Sequence, residues 1–253
     1  MFLKMMTRWR ALTLGSLYWS FDKFNLPKYL TLRGVKHSLS HPSDGERHSN
    51  KTAFIEIFYQ DCYWLNYIHK NSQFQIQSII DVGANVGYFS IYARKMFPTA
   101  DICGYEPNPK AFCTLVNNGE KFQFTAINQA VGDEDKQFTY DDSGDSIFGK
   151  IVECDSDTND KRIEIINLNN IIEHKKKIDI LKLDCEGAEW DIIKELDPSH
   201  VYWITMEYHC FHDSQDVVGL MQILTERNYE VIKIKNTNQS YGMILARSSI
   251  FEN

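Results

Sequence analysis

Three short stretches hold the side chains with the most chemical potential, and each follows an apolar run. The first is Asp81-Val82-Gly83-Ala84-Asn85-Val86-Gly87, which opens onto a helical pattern at Tyr88. Gly83 and Gly87 let the backbone turn sharply and approach a ligand with no Cβ in the way. Glu106 ends the next apolar run, 23 residues beyond Gly83. An acid at that offset commonly accepts hydrogen bonds from two ribose hydroxyls. Loop and acid together describe a site for an adenosine-type ligand. The glycine spacing is G-x-x-x-G, where a dinucleotide fingerprint requires G-x-G-x-x-G. These residues specify a ligand class and no reaction.

The other two stretches could do proton chemistry. Lys182-Leu183-Asp184-Cys185-Glu186-Gly187-Ala188-Glu189 places three carboxylates where a strand passes into a helix. Glu189 reads as a helix cap or dipole partner. Asp184 should lie across the crevice from the glycine loop. In Met206-Glu207-Tyr208-His209, strand alternation puts Glu207 and His209 on one face. Asp184 by position, and His209 by an ordinary pKa of ~6.5, are the candidate general bases. Glu207 could orient His209 or bind a substrate hydroxyl. Glu186 and Ser146 are candidates to line the acceptor site. Asp184, Glu207 and His209 could instead gather a divalent cation; the reading carried forward has no metal.

These residues need a frame, and the hydropathy pattern supplies one. Strands are expected at Ser78–Val82, Asp101–Glu106, Phe122–Val131, Ile178–Leu183 and Val201–Tyr208, with a short one at Arg162–Ile166. Helices are expected at Tyr88–Phe97, Pro109–Asn117, Leu168–His174, Ala188–Leu196 and Asp216–Arg227. The last carries Val217, Leu220, Met221 and Leu224 on one face. Tyr229–Ile234 and Tyr241–Ala246 flank turn residues and read as a hairpin. The polar stretch Asp133–Asp160 reads as an excursion or lid. Upstream, Tyr29–Val35 and Ala53–Tyr59 read as short strands. The alternation predicts an α/β fold with a doubly wound, mostly parallel seven-stranded sheet, helices on both faces and a C-terminal antiparallel hairpin. Ligands on such sheets bind outside the carboxyl ends of the strands, where all three stretches fall. Residues 1–52 are expected to form an N-terminal helix with a hairpin or lid, and residues 53–253 the ligand-binding domain.

Charge narrows the partners. The chain of 253 residues carries −7, but residues 1–40 hold seven Lys/Arg against Asp22 alone, which leaves −13 for the rest. A body that acidic is a poor match for a phosphate backbone, so no nucleic-acid partner is expected. The six cysteines, at 62, 103, 113, 154, 185 and 210, show no C-x-x-C spacing and read as free thiols in the cytoplasm. The uncharged run at positions 11–21 follows a basic start but is too short to span a bilayer. It reads as a helix packed on the domain, with peripheral contact to an anionic membrane as the alternative.

The segments "IIDVGANVGYFS", "GYEPNP", "AVGD" and "DILKLDCEGAEWDII", in this order, resemble the FkbM-type methyltransferases over about Ala53–Tyr208. The EGAE segment with its preceding LKLD is the most specific element. The resemblance implies a Rossmann-like class I fold and an S-adenosylmethionine-dependent O-methyltransferase acting on a hydroxyl of a small molecule or glycan, most often a sugar. It also implies that Asp81, Gly83, Ala84, Asn85, Gly87 and Tyr88 surround the methionine portion of S-adenosylmethionine, with Asp184 available to its ammonium group. Glu106 and Pro107 would border the ribose, and Gln129 and Ala130 the adenine. Where the family often shows Leu-Asp, this chain has Leu168-Asn169. The rival classes are a nicotinamide oxidoreductase, which the glycine spacing disfavours, and a non-catalytic S-adenosylmethionine-binding protein.

Overall fold

The computed structural model describes residues 24–42, 47–132, 138–140, 151–153, 164–212, 214–238 and 240–251. Strands β1 (Tyr29–Leu32) and β2 (Val35–Ser38) form a hairpin. Helix α1 (Arg47–Ile55) continues into a π turn (Glu56–Gln60), and α2 (Leu65–Asn71) follows. Then come β3 (Ser78–Val82), α3 (Tyr88–Met96), β4 (Asp101–Tyr105), α4 (Pro109–Phe122), β5 (Thr125–Ile127) and β6 (Ala130–Val131). β7 (Phe138–Tyr140) pairs antiparallel with β8 (Ile151–Glu153), both inside the stretch expected as an excursion. The chain resumes with β9 (Ile165–Ile166), α5 (Leu168–Lys175), β10 (Ile178–Leu183), α6 (Glu189–Glu195), β11 (Val201–His209), α7 (Val217–Glu226), β12 (Tyr229–Asn236) and β13 (Tyr241–Ser248).

The main sheet has seven strands in the order β12-β13-β11-β10-β3-β4-β5. β10, β11, β3, β4 and β5 run parallel, and β13 is antiparallel to both of its neighbours. The C-terminal hairpin therefore inserts its second strand between β11 and β12. Successive strand residues face opposite sides, so an unbroken apolar run feeds two cores. Ile79, Ile102, Ile180 and Trp203 pack against Leu65, Phe89 and Leu115, on α2, α3 and α4. Ile80, Leu181, Leu183, Ile204 and Met206 pack against Ile171, Ile193 and Leu220, on α5, α6 and α7.

Three expected strands are corrected. Ala53–Tyr59 is helical: Phe54 and Ile57 are three residues apart and share a buried face, which is helical spacing. Tyr29–Val35 is broken at Arg33-Gly34, where two left-handed residues make the hairpin turn. Phe122–Val131 splits three ways. Phe122 closes α4, β5 joins the main sheet, and β6 pairs separately with β9. Residues 11–21 lie outside the description. No helix among the described residues is long and apolar enough to cross a membrane.

Candidate functional site

The glycine loop joins β3 to α3, and most of its backbone is committed to the neighbouring strands. Gly83 and Ala84 amides donate to the Tyr105 carbonyl at 3.0 and 2.9 Å. The Asn85 amide donates to Oε2 of Glu106 at 2.7 Å, and the Asn108 amide to Oε1 at 2.8 Å. Glu106 thus ties the loop to the end of β4. It is only 7% exposed, and burial pushes its carboxyl up to about 7 despite those two donors. Gly83 is required by its neighbour: with φ +72°, a Cβ there would stand 1.8 Å from the Asp184 carbonyl oxygen. At Gly87 a Cβ would meet Leu115 and Phe124 at 2.8 Å. Both glycines serve close packing whether or not a ligand is bound.

Beneath the loop sits Lys182, a charged side chain next to the carboxyl end of β10 and only 2% exposed. The register sets it between Asp81 on β3 and Thr205 on β11. Its ammonium lies 3.1 Å from Asp81 Oδ1 and 3.6 Å from Asp184 Oδ2. It donates to the carbonyls of Val82 at 3.1 Å and Gly83 at 2.6 Å. Burial would lower its pKa, but Asp81 and Asp184 raise it overall, so the ammonium stays charged. Asp81, with no exposed surface, accepts from Ser90 Oγ at 2.7 Å through its other oxygen.

Asp184, Glu207 and His209 come together at the carboxyl ends of β10 and β11, each offering one ligand-type atom within 4.8 Å of the others. The Tyr63 hydroxyl donates to Asp184 Oδ2 at 2.8 Å. Burial, then the Asp184 charge, push the Glu207 carboxyl up to about 8. The His209 ring lies between Glu186, 3.6 Å from Nε2, and Glu189, 3.4 Å from Nδ1. Burial would lower the His209 pKa, but Glu189, then Glu186 and Asp184, hold it up at about 9. The Nδ1 contact is an ion pair with poor hydrogen-bond alignment, since Nδ1 has no hydrogen-bond partner. Glu207 is thus held toward its protonated form and His209 toward the imidazolium, so the His209 pKa lies above the ordinary value that the sequence alone suggests. Burial, then the surrounding acids, push the Cys62 and Cys185 thiols well up, so neither is a ready nucleophile.

Gly83, Asn85, Pro107, Gln129, Asp184 and Glu186 keep partly exposed surface at these strand ends. Asp81, Ala84, Gly87, Tyr88 and Ala130 are buried. The Tyr88 hydroxyl is bonded to His41 Nδ1 at 2.7 Å. Ser146 lies outside the described residues. A recess of about 160 Å³ between Gly132, Asn167–Asn169, Asp191, Ile192 and Lys194–Leu196 shares none of the expected site residues. Sequence reasoning missed Lys182, although a lone lysine in a buried strand must find a partner. It took Glu189 for a cap. Glu189 does accept the Cys185 and Gly187 amides, at 2.8 and 2.9 Å, and it also faces His209. Tyr63 gave no signal, because nothing in the sequence sets it opposite Asp184.

A family model described as the methyltransferase FkbM domain matches residues 81–231. The chain is similar to "Methyltransferase 1" of Beauveria bassiana (strain ARSEF 2860), 24% identical over 170 residues, covering 57% of this chain and 66% of that protein. It is similar also to "Methyltransferase sdnD" of Sordaria araneosa, 26% identical over 190 residues, covering 58% and 69%. The chain thus spans about two thirds of the length of these curated relatives. Among solved structures, M. capricolum TrmK in complex with S-adenosyl-homocysteine matches at TM-score 0.46 and 16% identity, covering 75% of this chain and 69% of that one. A putative RNA methyltransferase, PH1948 from Pyrococcus horikoshii, matches at TM-score 0.45 and 12% identity, covering 94% and 100%.

Proposed function

Because this chain belongs to the methyltransferase FkbM domain family, we propose that it is an S-adenosylmethionine-dependent enzyme that methylates a hydroxyl of a small-molecule or glycan acceptor, with a sugar as the best candidate. The observation that carries the reading is the convergence of Asp184, Glu207 and His209 beside the glycine loop. The donor set at the strand ends fits the cofactor. Each Glu106 oxygen accepts one amide and keeps a lone pair, enough for two ribose hydroxyls. Gly83 and Asn85 would hold the methionine portion, and Pro107 and Gln129 would border the nucleoside. The carboxylates of Asp184 and Glu186 suit a sulfonium cation.

When bound, S-adenosylmethionine supplies a methyl group already activated by positive sulfur. The protein's own work is alignment and proton removal, worth up to ~7–11 kcal/mol and ~10²–10⁴-fold respectively. Asp184 takes the acceptor's hydroxyl proton as its oxygen becomes alkylated. Glu207, carrying a proton near neutrality, and the His209 imidazolium donate hydrogen bonds that hold neighbouring oxygens. Phe211, 44% exposed, stacks on His209 at 5.5 Å and 11°. An aromatic face beside carboxyl groups suits a sugar, which has an apolar ring face and hydroxyl edges.

An acceptor screen with labelled cofactor, beginning with glycans, tests the reading directly. Label should pass to a hydroxylated acceptor, and calorimetry should show micromolar S-adenosylmethionine binding without comparable NADH binding. NADH binding without S-adenosylmethionine binding would overturn the assignment. A second reading is favoured by one distance. Ligand atoms within 4.8 Å of one another could embrace a single divalent cation, which would displace the Glu207 and His209 protons. Loss of turnover in EDTA, restored by Mg²⁺, would select it.

A further inference from the structure

The segment joining the π turn to α2 lies upstream of the family-matching residues 81–231, yet it reaches the site. We propose that Tyr63 is a positioning residue for methyl transfer, holding Asp184 so that Oδ1 alone faces the reacting groups. The proposal rests on the methyltransferase reading above. The Tyr63 hydroxyl donates to Oδ2 at 2.8 Å, and the Lys182 ammonium stands 3.6 Å from that same oxygen. No hydrogen bond among the described residues reaches Oδ1, and the Asp184 side chain is 25% exposed. One carboxylate oxygen is anchored and the other is left for an incoming group.

Tyr63 is itself fixed at three points. Its hydroxyl meets Asp184, its carbonyl accepts from Thr205 Oγ1 on β11 at 2.9 Å, and its ring packs edge-on to Phe89 at 5.2 Å. The backbone that delivers it is costly to form. Trp64 has φ of +52°, in the left-handed region that bulky side chains avoid, while Asp61 at φ +54° caps the π turn in a conformation aspartate tolerates. A π turn precedes them, with the Cys62 amide donating to the Glu56 carbonyl at 3.0 Å. Strain of this kind persists where surrounding contacts over-determine the conformation, and it gathers at functional sites. A tyrosine needed only for packing would find an acceptor for its hydroxyl without a left-handed tryptophan beside it.

The test uses the full chain and calorimetry with two probes. One is S-adenosylhomocysteine, and the other is sinefungin, an analogue with a primary ammonium where the sulfonium methyl would be. A carboxylate oxygen aimed at that position makes the wild type prefer sinefungin. Tyr63→Phe keeps the ring and removes the hydroxyl. It should cut the preference by about 10-fold, the size of one hydrogen bond to a charged group, with S-adenosylhomocysteine affinity within twofold. In an Asp184→Asn background, Tyr63→Phe should change the preference no further. An unchanged preference in Tyr63→Phe, or an equal loss for both probes, overturns the positioning role. A wild type that binds neither probe refutes the methyltransferase reading, and the role of Tyr63 falls with it.

Discussion

Replacing Lys182 with Met should cost the protein more stability than its single charge suggests. The side chain is 2% exposed, and Met fills similar volume, so little packing is lost. What is lost is the partner of Asp81, a carboxylate with no exposed surface, together with the donor to the Val82 and Gly83 carbonyls. Ser90 still serves Oδ2, but Oδ1 has no hydrogen-bond partner and relies on the ammonium 3.1 Å away. Breaking a buried pair by removing one member typically costs ~3–5 kcal/mol, because a charge stays behind without compensation. For a chain of this size that corresponds to a Tm lower by ~6–20 °C. The Lys182 pKa is raised in the fold, so its stabilisation is complete below the unfolded lysine value and is lost only as pH rises through the folded one. Urea titration at neutral pH therefore reads the full effect. Adding Asp81→Asn should recover most of the loss, since removing both charges is close to neutral. A Lys182→Met loss below ~1 kcal/mol, or no recovery in the double variant, would refute the buried-pair account.

Glu106→Gln should weaken S-adenosylhomocysteine binding by ~1.5–3 kcal/mol, because an amide NH₂ would face a backbone amide now bonded to a carboxylate oxygen; unchanged affinity by calorimetry would remove Glu106 from the site. Gly83→Ala should destabilise the ligand-free chain by ~2–5 kcal/mol through left-handed strain and collision with the Asp184 carbonyl, and a loss of cofactor binding with normal stability would show that only the ligand needs that glycine. Stability should fall as pH rises from about 6.5 to 9. The raised carboxyls of Glu106 and Glu207, at about 7 and about 8, and His209, at about 9, all bind more protons folded than unfolded there. A urea midpoint that is flat or rising across that range would contradict these proton assignments.

The parallel sheet was legible because its strands are short apolar runs closed by Gly, Pro and acidic residues, and both faces of each run are buried. The placing of Asp81–Gly87, Glu106, Asp184 and Glu207 at the strand ends was legible for the same reason, since each marks where such a run stops. Ala53–Tyr59 was misread because a seven-residue stretch, apolar but for Glu56, carries both periods, and only Phe54 and Ile57 packing against α3 decides for the helix. The protonation of the site was not legible. A histidine two residues from a glutamate looks like a base until Glu186 and Glu189 are seen on either side of it, and those contacts cross from the turn before α6 and its first residue to β11. Tyr63 illustrates a further limit, because its partner is 121 positions away.

The glycine loop and Asp184 form one mechanical unit. Val82 and Gly83 carbonyls rest on Lys182, Lys182 pairs with Asp184, and the Asp184 backbone presses on Gly83. A change at Gly83 or Lys182 must therefore disturb cofactor affinity and turnover together. Glu106 and Tyr63 attach to this unit from opposite sides. Glu106 reaches it from β4 through the Asn85 amide, and Tyr63 from the strained turn before α2 through Oδ2 of Asp184. The first should shift cofactor affinity with turnover preserved at saturation. The second should shift the methyl-transfer step with affinity for S-adenosylhomocysteine preserved. Were Glu106→Gln and Tyr63→Phe to show the same pattern, the division of the crevice into a nucleoside side and a reacting side would fail, even if every residue named here proved necessary.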